Sequence, residues 1–107
     1  MHPDHKLFTA AIENRQKVLL TFASKEDGGA YQVRTCAPMD YGPRARAHDQ
    51  SDCYHFWDYD SAEGAHTLSL LPDQVISIVV SDETFDPGEV VTWDPNWHHT
   101  REWGAYS

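Results

Sequence analysis

The run Cys53-Tyr54-His55-Phe56-Trp57-Asp58-Tyr59-Asp60 is the part of this chain that most limits what it can fold into. Side chains alternate sides along a strand, so His55, Trp57 and Tyr59 share one face and Tyr54 and Phe56 the other. One of these faces is core, and Phe56 makes its own face the better candidate. After a turn at Ser61 to Ala65, a further strand is predicted over His66 to Leu71, a tight turn at Pro72-Asp73-Gln74, and a last strand over Val75 to Val80. This series suits the middle of a small rolled sheet.

Upstream, Asp4 is a plausible N-cap for a helix from about His5 to Arg15, with Leu7, Phe8, Ala11 and Ile12 on its apolar side. Val18, Leu20 and Phe22 alternate with Leu19, Thr21 and Ala23, a strand apolar on both sides and hence central. Lys25 to Gly29 is a hairpin turn, since Gly28 and Gly29 tolerate positive φ. Tyr31, Val33 and Thr35 define the next strand, which ends at Pro38. From Met39 to Asp52 the chain is expected to be a long polar connection, because Gly42 and Pro43 break a regular strand.

One helix followed by five strands predicts an α+β fold: an N-terminal helix packed on a small five-stranded SH3-like or Sm-like β-barrel. At 107 residues this is a single core. Residues 1–87 form that unit and residues 88–107 an aromatic extension. The extension carries Trp93, Trp97, Trp103 and Tyr106, which are costly to leave in water, so it should pack on the barrel or on a second copy. Apolar segments are short, which predicts no membrane span and a cytoplasmic chain.

The net charge of −9 repels nucleic-acid backbones at long range, although a local basic patch can still form. Arg34, Arg44 and Arg46 supply such a patch, with Tyr41, Trp57 and Tyr59 near enough in sequence to stack on bases. The bland alternative pairs these arginines with Asp40, Asp49 or Asp52. The face carrying His55 is either a ligand platform or is covered by the tail. Cys36 and Cys53 read as two buried thiols, with a disulfide or shared metal as the other option. The histidines lack metal-ligand spacing, so no metal or other cofactor is predicted. Asp58 and Asp60 face the same side and could act as an acid/base pair, but charged residues beside a turn are the commoner case. Catalysis has no better anchor, and the chain is read as non-enzymatic.

The helix, the Arg34-x-Cys36-x-Pro38 segment, the aromatic strand and the Leu68 to Ile76 region together resemble the WYL domain, over roughly Leu7 to Pro87. Asp40-Tyr41-Gly42-Pro43, Tyr54-His55-Phe56 and Phe85-Asp86-Pro87 are similar to segments of small free-standing WYL-like proteins. The resemblance implies a regulatory, ligand-binding role in transcription, DNA-damage or phage-defence settings, with nucleotides or nucleic acids as ligands. The Trp-Tyr-Leu position reads Cys53-Tyr54-His55, and the family's two arginines fall near His66 and on Gln74. With no helix-turn-helix, the chain is not expected to be a complete repressor. The expected ligand is a nucleotide or single-stranded nucleic acid held by Arg34, Arg44 and Arg46, with Tyr41, His55, Trp57, Tyr59 and His66 around it. The alternative is a protein-interaction module acting through homodimerisation or docking on a basic partner.

Overall fold

The computed structural model describes residues 1–25, 28–44, 48–61 and 64–107. Helix α1 spans His5–Asn14 and stops at Arg15, whose left-handed backbone (φ 55°, ψ 40°) returns its N–H to the carbonyls of Ala11 and Ile12. Asp4 stands at the N-cap position, but its side chain caps nothing there. Its Oδ2 accepts the backbone N–H of Ile78 at 3.0 Å and so ties the helix start to the last strand.

The strands are β1 (Gln16–Ser24), β2 (Ala30–Pro43), β3 (Asp52–Asp58), β4 (His66–Leu70) and β5 (Val75–Thr84). They form one antiparallel sheet in the order β4-β3-β2-β1-β5, with β1 central between β2 and β5. The predicted barrel is corrected here: β4 and β5 are opposite edges, and among the described residues no ladder joins them. Yet only a 3-10 turn, Pro72–Gln74, connects those edges. Laid flat, five strands at ~4.8 Å spacing would hold their outer members about 19 Å apart, whereas a 3-10 turn advances about 2 Å per residue. The sheet is therefore strongly curled, without closing.

The expected loop after Pro38 is also corrected, because β2 continues to Pro43. Its ladder with β1 ends at the Val18–Cys36 pair, so beyond that point β2 needs partners only from β3. The missing N–H of Pro38 then costs no β1 hydrogen bond, as on an edge strand. A bulge between Pro38 and Asp40 shifts the register by one residue. Tyr41 is thereby turned onto the helix side, opposite Tyr54, and Asp40 onto the outer side, opposite His55.

The core lies between α1 and the concave side of the sheet. Phe8, Ile12, Val18, Leu20, Tyr54 and Phe56 are fully buried there. Phe8 meets Tyr54 and Phe56 edge-on, with ring centroids 4.9 and 5.2 Å apart. The Tyr54/Phe56 side of β3 is thus the core side, as the sequence suggested. Cys36 and Cys53 are free buried thiols, and burial pushes both above the usual thiol range.

The segment after β5 packs on its own chain. A short helix α2 (Pro87–Val90) buries Val90, and Trp103 (3 % exposed) donates its indole N–H to the Ile12 carbonyl at the end of α1. The outer side of the sheet is consequently divided. Residues 93–98 lie against the β3–β4 half, while the β1–β2–β5 half stays bare, with Leu19, Val33, Val79 and Tyr31 exposed by 44, 55, 57 and 67 %. No described helix is long and apolar enough to cross a membrane.

Candidate functional site

Two clefts flank the β4 edge. The first, about 660 Å³, opens on the core side of the sheet beyond the reach of α1. Strand register builds it. Leu20 pairs with Arg34, Cys36 with Asp58, and Asp58 with His66, and paired residues point to the same side. Arg34 and His66 therefore flank Asp58. Phe22, Leu68 and Leu71 add an apolar floor, and Lys25, Arg44 and Gln74 stand at the rim.

Arg34 is not free in this cleft. Its guanidinium meets Asp58 at 3.1 Å and the Gln32 side-chain oxygen at 3.3 Å. Asp58 is almost fully buried and also accepts the N–H of Asp60 at 2.9 Å. Asp60 in turn accepts the Thr35 N–H at 2.6 Å. Both carboxylates considered for acid/base work are thus occupied in fastening the end of β3 to β2. The pairing does not empty the cleft of positive charge. Among its described lining residues, Lys25, Arg34 and Arg44 stand against Asp58, a formal balance of +2 in a chain at −9.

Arg44 sits just past β2 and is exposed, and among the described residues no acid forms an ion pair with it. His66 is exposed, with Nδ1 3.0 Å from the Gly64 carbonyl. Arg46 falls outside the described residues.

The aromatic residues proposed to stack beside the arginines go elsewhere. Tyr41 packs against Tyr54 and His5, with centroids at 4.5 and 4.8 Å. Trp57 packs half-buried on the core. Tyr59 lies under the Lys17 ammonium at 4.7 Å and lines a separate groove with Arg15 and Glu89. None of the three lines the Arg34 cleft.

The second cleft, about 680 Å³, lies between the outer side of β3–β4 and residues 93–98. His55 is at its base and is held at both ring nitrogens. Nε2 lies 2.8 Å from the Gly42 carbonyl and Nδ1 2.7 Å from the Ser69 hydroxyl. A carbonyl only accepts, so Nε2 carries the proton; in the neutral ring Nδ1 then accepts from Ser69. Of the two alternatives for the His55 face, cover by the tail is the one seen: residues 93–98 lie over it, with a cleft between.

The residue that fixes this roof, Arg101, was not singled out by sequence. Its guanidinium is sandwiched between the rings of Trp97 (4.0 Å) and Trp103 (4.5 Å), and hydrogen bonds join it to the carbonyls of Met39 and His99. It pairs with Asp40 at 3.2 Å, and Asp40 also accepts the backbone N–H groups of His98 and His99, each at 2.9 Å. Burial draws the Arg101 guanidinium down to about 10, opposed by Asp40, so it remains a cation at neutral pH. Only the alternation of Trp97, Arg101 and Trp103 hinted at such a stack.

Among the described residues no group of His, Cys, Asp and Glu is arranged to hold a metal ion. No family model matches the chain, and neither a curated protein nor a solved structure matches it.

Proposed function

We propose that this chain is a non-catalytic WYL-like ligand-sensing or accessory module that holds a nucleotide-type anion in the Arg34 cleft. One observation carries the reading: Lys25, Arg34 and Arg44, three of the eight Lys and Arg residues of a strongly acidic chain, converge on a single cleft. Charge of one sign concentrated in a recess focuses the field on an anion despite the opposing net charge. The resembled family's arginines fall near His66 and on Gln74, which line the same cleft, so here the positive charge comes from Lys25, Arg34 and Arg44 in their place. A helix followed by five strands, with β4 and β5 joined by one 3-10 turn, also supports the SH3-like or Sm-like reading of the curled sheet.

The test uses the exposed rim. A Lys25→Ala, Arg44→Ala double variant should bind ATP and a short oligonucleotide several-fold more weakly, with a shallower dependence of affinity on salt. Unchanged affinity and unchanged salt slope would overturn the assignment.

A second reading, self-association, is favoured by the bare half of the outer sheet face. The side chains at positions 19, 21, 23, 31, 33, 35, 77 and 79 carry no formal charge, so two copies can meet there without setting like charges in contact. Light scattering on Val33→Glu decides this: a dimer that becomes a monomer supports it, and a monomeric parent at all concentrations removes it.

A further inference from the structure

The two clefts have Arg44 and Ser69 in common, so they meet at the β4 edge and form one path around it. Their electrostatics differ. The first cleft holds the +2 balance described above. In the second, Arg101 neutralises Asp40, so among the described residues Asp94 stands against the shared Arg44, a formal balance of zero. A ligand lying along the path therefore has its anionic end in the first cleft and an uncharged part in the second.

The lining of the second cleft says what that part is. Trp93 is 43 % exposed on the cleft wall, and among the described residues no acceptor takes its indole N–H. Its neighbours differ: Trp97 donates to the Tyr106 carbonyl at 2.7 Å and Trp103 to Ile12 at 2.8 Å. Trp93 touches Trp97 only edge-on, at 6.1 Å between centroids, which leaves its broad face for something else. Asn96 and Thr67, both exposed at the rim, offer donors and acceptors to the edge of a flat polar ring. The wall is also fixed in place: Asp40 grips the backbone at His98 and His99, and Arg101 is stacked on Trp97.

We propose that the Trp93 cleft is a base subsite, so that the ligand is a nucleotide whose phosphate lies against Arg34 and Arg44 while its heterocycle stacks on Trp93. This rests on the anion reading of the Arg34 cleft and adds the chemistry of the group beyond the phosphate.

The experiment compares AMP with ribose 5-phosphate, which differ only in the base, by calorimetry on the full chain and on Trp93→Ala and Trp93→Phe. Base–aromatic stacking is worth roughly 5- to 150-fold in affinity. The parent should prefer AMP by a factor in that range. Trp93→Ala should bring AMP to the affinity of ribose 5-phosphate without altering the latter, and Trp93→Phe should keep most of the preference. Equal binding of the two compounds by the parent, or a preference untouched in Trp93→Ala, overturns the base subsite and leaves the anion cleft standing. If neither compound nor hexadeoxyadenylate binds, the anion reading fails and the subsite with it. Hexadeoxyadenylate separates the two sources of this chemistry: a Trp93-dependent gain over AMP identifies a nucleic-acid strand, and equal affinity identifies the free nucleotide.

Discussion

Removing the Asp40 carboxylate tests whether the Arg101 latch holds the C-terminal segment. Asp40 and Arg101 are 6 % and 5 % exposed, so neither charge can turn to solvent when its partner is lost. Asp40→Ala leaves the guanidinium buried and uncompensated, which costs ~3–5 kcal/mol. The freed N–H groups of His98 and His99 lie nearer the surface and can be met by water, so they add little. Set against a total stability of about 5–15 kcal/mol for a domain, the variant should be close to unfolding. Arg101→Met keeps the apolar stem between the two tryptophans and leaves Asp40 with two backbone donors. It loses the pair with Asp40 and the bonds to the Met39 and His99 carbonyls, so it too should cost ~3–5 kcal/mol. The double variant removes both charges, and its cost should fall short of the sum of the single costs by ~1–3 kcal/mol. Urea denaturation of the three variants and the parent measures this coupling. Single costs that simply add, within about 0.5 kcal/mol, would refute the latch.

Further outcomes follow from the geometry. A Cβ built on Gly42 would stand 2.5 Å from His98 Cδ2 and 2.6 Å from Cγ, so Gly42→Ala should lower stability by about 1–3 kcal/mol, and adding His98→Ala should restore it, as read by thermal melts. Burial, helped by His99 and the N-terminal amine, holds the His5 imidazole below its usual value. The unfolded chain then takes up that proton first, so His5 supplies stability that is present above about pH 6.5 and is lost as pH falls through the lower folded value. His5→Gln, which does not titrate, should flatten the decline in melting temperature on acidification, and an unchanged decline would contradict the assignment. Cys36, whose thiol burial keeps protonated, should resist alkylation in the native state and react only in denaturant.

Local chemistry made much of the fold legible. The spacing of Phe8, Ala11 and Ile12, the glycines at 28 and 29 (φ 68° and 87°) and the alternation of β3 are properties of neighbouring residues, and their elements lie where the pattern puts them. The extension of β2 was not legible, because what permits Pro38 there is the absence of β1 alongside, which depends on where another strand ends. The bulge compounds this. Without it Tyr41 would face outward with Ala37; with it, the ring joins the core, and a sequence neighbourhood of Tyr41, Arg44 and Arg46 does not become a spatial one. Arg34 and Arg44 do share a cleft, but their company there is Lys25, His66 and Gln74, which strand pairing and the curl of the sheet supply. The grip of Arg101 on Met39 and Asp40 crosses about 60 residues, far beyond any periodicity a sequence displays.

That separation carries a kinetic consequence. The Trp103–Ile12 and Arg15–Glu102 bonds join residues 91 and 87 apart, whereas the β1–β2 hairpin closes on itself. Contacts so distant along the chain demand the largest loop closure and form after the local ones. A stapling interaction made late is absent at the folding barrier, so weakening it accelerates escape from the native state and leaves the approach to it unchanged. In stopped-flow chevrons Arg101→Met should lift the unfolding limb alone, which makes the terminal segment the clasp that sets how long a closed molecule stays closed.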